Sequence, residues 1–209
     1  MNRDLVVLAP CKAIEQAIAV LLVERYQSIG IRPITIAQIV VHPNRDPGVY
    51  NTGHELLQPF ADDTEHALIV FDRAWDGAPS TDAAVLARAV EGRCARDWCD
   101  RVRCVCIEPE IENWVWSDSP HVPTILGWSN HAELLQWLRE RGLWPSGAAK
   151  PPDPKKAFED ATHKTRVNRS SSIFGELARK VGISHCRDPS FLHLLEILRG
   201  WFPATRASG

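Results

Sequence analysis

Two apolar runs in this chain end abruptly in carboxylates. Ala67 to Phe71 runs into Asp72-Arg73-Ala74-Trp75-Asp76, and Val102 to Ile107 runs into Glu108-Pro109-Glu110-Ile111-Glu112. Carboxylates brought within about 4 Å of a common point repel one another unless a cation joins them or their pKa values rise. Hard oxygen donors of this kind suit Mg²⁺ or Mn²⁺, and an ion so held activates water and stabilises the charge that develops on a phosphodiester. Asp72, Asp76, Glu108 and Glu110 are therefore the candidate metal ligands, and Asp72, Asp76, Glu108 and Glu112 the candidate catalytic set. If Pro109 opens a helix, Glu108 and Glu112 stand four apart on one face of it. A plainer reading is also open, because acids favour the first turn of any helix and Asp is a common turn former.

Elements must place those acids together, and the hydrophobic pattern supplies them. Leu5 to Leu8, Ile34 to Val41, Ala67 to Phe71 and Val102 to Ile107 are continuous apolar runs, the form taken by strands buried on both faces. Between them Ile14, Ile18, Leu21 and Leu22 recur at helical spacing up to Gly30, a short helix is expected around Leu56 to Phe60, and Ala83, Val85, Leu86 and Val90 mark another. Strands alternating with helices predict an α/β fold, a small doubly wound and mostly parallel sheet, in which strand ends converge on one rim. That core is expected over residues 1–118. A helical region packed on it is expected over 119–209, with helices at His131 to Arg141, Pro154 to Lys164, Ser170 to Val181 and Pro189 to Trp201.

With 209 residues, 44% hydrophobic and 24% charged, the chain can bury a substantial core. A net charge of −2 gives no overall attraction to nucleic acid, so any such binding needs a local basic face. The richest one is Lys155, Lys156, Lys164, Arg166 and Arg169, with Lys150 before it and Ser170-Ser171-Ser172 after it, where phosphate can dock on side-chain charge and free N–H groups. Asp153, Glu159 and Asp160 offset part of that charge. No apolar run approaches the roughly 20 residues of a membrane span, and the N-terminus lacks a secretory pattern. A cytoplasmic protein with reduced thiols and no membrane partner is the expectation.

Cys94, Cys99, Cys104 and Cys106 lack the paired Cys-x-x-Cys spacing of zinc ribbons, so they are expected to be small buried hydrophobes. Cys11, at a helix start beside Lys12, has a setting that can lower a thiol pKa. Of eight tryptophans, six lie at Trp114 or beyond, and packing of helices onto a sheet is the expected use. Gly-rich nucleotide loops, Gly-x-Ser-x-Gly and His-Glu-x-x-His are all missing from the sequence.

The segments Ile69-Val70-Phe71-Asp72-Arg73-Ala74-Trp75-Asp76-Gly77 and Glu108-Pro109-Glu110-Ile111-Glu112-Asn113-Trp114-Val115-Trp116 resemble the strand-Asp and Pro-Glu-x-Glu-x-Trp segments of Toprim-like proteins from prokaryotic defence loci, including the RloB-like group. The resemblance covers the core to about residue 118, and the helical end around Arg187 to Trp201 has the general look of such proteins. It implies an antiviral defence component with a Mg²⁺-dependent nuclease site, or a non-catalytic subunit that binds a partner protein, nucleic acid or nucleotide. Toprim domains resemble one another in a glutamate after the first strand and an Asp-x-Asp after the third. Here Ala9-Pro10-Cys11-Lys12 follows the first strand, with no acid before Glu15, and Asp72 is followed by Arg73-Ala74.

Overall fold

The computed structural model of the chain describes residues 3–204. Four parallel strands, β1 (Arg3–Ala9), β2 (Ile36–Val41), β3 (Thr64–Asp72) and β4 (Val102–Ile107), form one sheet in the order β2-β1-β3-β4. Leu5 to Ala9 and Ala67 to Phe71 are wholly buried, which is why these central strands show no polar alternation. Register is set by pairs such as Val6 with Ala67 and Ile69 with Cys104. Successive side chains point to opposite faces. Leu5, Val7, Leu68, Val70 and Val105 join one buried cluster, and Val6, Leu8, Ile69, Phe71 and Cys104 join the other.

Helices α1 (Lys12–Val23) and α2 (Tyr26–Ile29) lead from β1 to β2, and α3 (Arg45–Leu57) and α4 (Ala83–Trp98) flank β3 in sequence. The stripe Ile14, Ala17, Ile18, Leu21 and Leu22 seats α1 on the first face. Val49 and Leu57 of α3 and Leu86, Val90, Cys94 and Trp98 of α4 cover the second. The sheet is thus doubly wound, as its sequence pattern predicts. Asp82 caps α4, accepting from the N–H groups of Ala84 and Val85. Gly30 ends α2 at φ +82, a left-handed position that glycine takes without a Cβ clash.

Six further helices follow: α5 (Glu112–Val115), α6 (His121–Ile125), α7 (His131–Glu140), α8 (Pro154–Thr165), α9 (Ser172–Lys180) and α10 (Pro189–Trp201). Asp153 and Asp188 cap α8 and α10, each with a proline just inside the helix where its missing N–H costs nothing. Their apolar stripes, including Phe158, Phe174, Leu177, Phe191 and Leu194, merge with the α1 face into one continuous cluster. Tryptophan serves that packing. Trp116, Trp128 and Trp144 are buried in it, and the indole N–H of Trp116 donates to the Pro154 carbonyl at 3.0 Å. No helix among the described residues is long and apolar enough to cross a membrane.

Candidate functional site

The strand order reverses between β1 and β3, so the chain leaves β1 for one edge of the sheet and β3 for the other. In such sheets a crevice opens outside the carboxyl ends of the strands at that point. Four segments meet there: Pro10-Cys11 after β1, the start of α3 after β2, Asp72 at the end of β3, and Glu110 to Glu112 after β4. The first turn of α8 brings Lys155 to them from the helical region.

Asp72 lies at the centre. Its backbone N–H donates to Asp46 Oδ1 at 2.8 Å, which ties the end of β3 to the start of α3. Its own Oδ1 is shut off from solvent and has no hydrogen-bond partner among the described residues. Burial, and then the charges of Asp46, Glu112 and Glu110, hold its carboxyl well above the usual carboxylate range. Asp46 is itself raised, mainly by burial. Glu112, only 5% exposed, is raised for the same reason with Glu110 adding to it. Three carboxyls that each disfavour ionisation, gathered at a strand-end crevice, are a costly arrangement for folding alone.

Lys155 is a counter-charge to this group, acting on Asp46 and Glu112, with Arg169 acting on Glu112 as well. The Lys155 ammonium donates to Glu110 Oε2 at 2.5 Å, and that bond, with the fields of Glu112 and Asp72, pushes its pKa up. Cys11 shares the crevice as a thiol. Burial raises it despite help from the N–H groups of Ile14 and Ala13, and the charges of Asp72 and Asp46 raise it further. The helix start that lowers thiol pKa values elsewhere is outweighed here by desolvation and two acids.

Not every residue singled out in the sequence joins this group. Asp76 stands exposed on the loop after β3, with no ion pair or hydrogen bond among the described residues. Glu108 is also exposed and faces Arg73 at 3.3 Å. Pro109 does not open a helix, because the Ala74 N–H still donates to its carbonyl alongside the Arg73 bond to Ile107. β4 ends at Ile107, the chain bends at Glu108 and Pro109, α5 begins only at Glu112, and Glu108 and Glu112 therefore share no helical face. Asp46 carries no such signal in the sequence. It sits in a string of turn formers, His42 to Gly48, whose second half is already α3, and only its place after a strand marked it.

The basic segment divides in the same way. Lys156 pairs with Asp160 at 2.9 Å and Arg169 with Glu159 at 2.6 Å. Lys150 is spent on Asp188. Lys164 and Arg166 are exposed at the far end of α8. Nine helical steps from Lys155 to Lys164 span about 14 Å, too far for both to hold one phosphate.

Comparison with protein-family models, curated proteins and solved structures finds no match for this chain. The site has to be read on its own chemistry. Among the described residues no three His, Cys, Asp or Glu side chains are arranged to hold a metal ion between them. Mg²⁺, however, is commonly held by one or two carboxylates, with waters and substrate phosphate completing its octahedron. The orphaned Asp72 Oδ1, with Glu112 and Asp46 beside it, fits that mode of binding, in which an all-protein cage is not needed.

Three of the four cysteines expected to be buried are so, and the fourth, Cys99, stands exposed at the end of α4 instead. Cys94, Cys104 and Cys106 are free and buried in the second cluster, with the thiols of Cys94 and Cys106 pushed up by burial to about 11 and about 12. They behave as small apolar side chains.

Proposed function

We propose that the crevice formed by Asp72, Asp46 and Glu112 holds Mg²⁺ or Mn²⁺, and that the protein is a Toprim-like enzyme acting on phosphodiesters, a nuclease. The observation that carries this reading is the buried Asp72 oxygen with no partner, surrounded by two further acids at the rim of a doubly wound sheet. A divalent cation supplies the missing compensation, and when bound it supplies Lewis-acid activation of water and neutralises charge on a phosphoryl oxygen. The chain's own residues do the rest. Asp46 fixes the end of β3 through the Asp72 N–H, Glu112 offers a second acid from α5, and Lys155 presents a cation to substrate phosphate.

A calorimetric titration of MnCl₂ into the purified protein tests this directly. One ion per chain, with the heat abolished in Asp72→Ala while the fold is retained, is the expected result. Absence of binding in the unaltered protein overturns the reading.

A second reading is favoured by one observation: the segment after β1 is Pro10-Cys11-Lys12, with a neutral thiol and no acid, where the Toprim resemblance implies a glutamate. On that reading the chain is a non-catalytic subunit that binds a partner protein, nucleic acid or nucleotide. A screen of DNA and RNA substrates with Mn²⁺ separates the two, since cleavage lost in Asp72→Ala belongs to the first alone. The cytoplasmic antiviral setting is proposed from the resemblance. Protection of cells from phage, lost with Asp72→Ala, is its test.

A further inference from the structure

We infer that Lys155 is the crevice's own counter-ion, a tethered cation that competes with the divalent metal for the acids and is released toward substrate phosphate when the metal binds. This rests on the metal reading above and adds a regulatory element to it.

The mount and the head of this side chain are held differently. Asp153 caps α8 through the Lys156 N–H at 2.8 Å, and the Pro154 carbonyl accepts the buried Trp116 indole N–H at 3.0 Å, so the backbone on either side of Lys155 is fixed. The ammonium is held by one acid, Glu110, and the lysine side chain is 45% exposed while that of Glu110 is 13% exposed. A half-exposed ion pair of this kind is weak and easily exchanged. Lys156, its neighbour, takes no part, because it pairs along the helix with Asp160.

Asp46, Asp72, Glu110 and Glu112 all feel Lys155 or one another, and among cations only the more distant influence of Arg169 on Glu112 adds to it, so the acids outnumber the positive charge that faces them. A divalent ion and an ammonium cannot both occupy that space without repulsion. Bound metal therefore favours the lysine swung outward, where it meets an anion, and an anion that draws the lysine outward favours the metal. By linkage the two effects are equal in size.

MnCl₂ titrations of the full chain, the Lys155→Met variant and the Lys155→Arg variant test this, with thermal melts to show that each is folded. Lys155→Met is expected to bind Mn²⁺ on the order of tenfold more tightly, the range typical of a coupling between neighbouring sites. Lys155→Arg keeps the charge and is expected to bind as the unaltered chain does. Equal or weaker binding by Lys155→Met, with Mn²⁺ still bound by the unaltered chain, overturns the counter-ion role and leaves the metal site standing. Binding by none of the three overturns both.

Discussion

Asp188 and one carboxyl oxygen of Asp72 are both shielded from water at the junction of a strand or loop with a helix, yet the protein treats the two residues oppositely. Asp188, 2% exposed, accepts from Asn113 Nδ2 at 2.6 Å, Lys150 Nζ at 2.9 Å, and both the N–H and the hydroxyl of Ser190. Every direction of its carboxylate is answered, and the answers come from the segment after β4, the loop before α8 and the start of α10. Asp72 instead has an oxygen with no partner and acids as its neighbours. A buried carboxylate that is fully satisfied fastens elements together. One that is left short, at a sheet rim, is held ready for a group the chain does not itself provide.

Breaking the first kind should cost most. Asp188→Ala strips Lys150, Asn113 and Ser190 of a shared acceptor and leaves a mostly buried ammonium uncompensated, so a loss of about 3 kcal/mol is expected in urea unfolding. The opposite sign is expected at the rim. Asp72→Asn removes a charge that its neighbours disfavour and should raise stability at pH 8 by about 1 kcal/mol, as replacements at strained functional positions often do. If both substitutions destabilise alike, the contrast between the two aspartates is lost.

Hydrophobic pattern alone gives β4 its observed bounds, Val102 to Ile107, and places α7, α8 and α10 to within a residue or two, because two-sided burial and proline starts leave local marks. The crevice is only half as legible. Asp72 and Glu112 announce themselves by following strands, but Asp46 lies 26 residues before Asp72 among turn formers, and its bond to the Asp72 N–H exists only once β2 and β3 flank β1. Glu108 misleads for the converse reason. Its spacing to Glu112 fits a helix, while the backbone bonds that Arg73 and Ala74 donate to the carbonyls of Ile107 and Pro109 override that local preference. Which lysine faces the rim was equally hidden, since ion pairs to Asp160 and Glu159 are decided by the turns of α8 and the return of the chain after it.

The pH dependence sharpens the contrast further. Asp72, Asp46 and Glu112 have folded-state pKa values raised above those of the unfolded chain, so the native state binds more protons between the two values. Their protonated forms contribute stability that is fully present below the unfolded pKa, near 4, and is lost as pH rises through the folded values. Melting temperature is therefore expected to climb as pH falls from 8 toward 5, with a shallower climb in Asp72→Asn. Saturating Mn²⁺ should flatten the slope by stabilising the ionised acids at high pH. A slope that is identical in the two proteins would detach Asp72 from it.

The smallest effects belong to the candidates that the fold leaves outside the crevice. Asp76 is exposed without partners among the described residues, and Lys156 makes an exposed pair one helical turn long with Asp160, an interaction that solvent and salt screen almost completely. Asp76→Asn and Lys156→Met should each leave the urea midpoint unchanged and Mn²⁺ affinity within about twofold. The comparison is informative because each mimics a neighbour in type and sequence: Asp76 follows Asp72 by four residues, and Lys156 follows Lys155 directly. If charge near the rim were all that mattered, Lys156→Met would tighten Mn²⁺ binding as much as Lys155→Met. A difference confined to Lys155 would instead show that the first turn of α8 aims one lysine, and not its neighbour, at the acids.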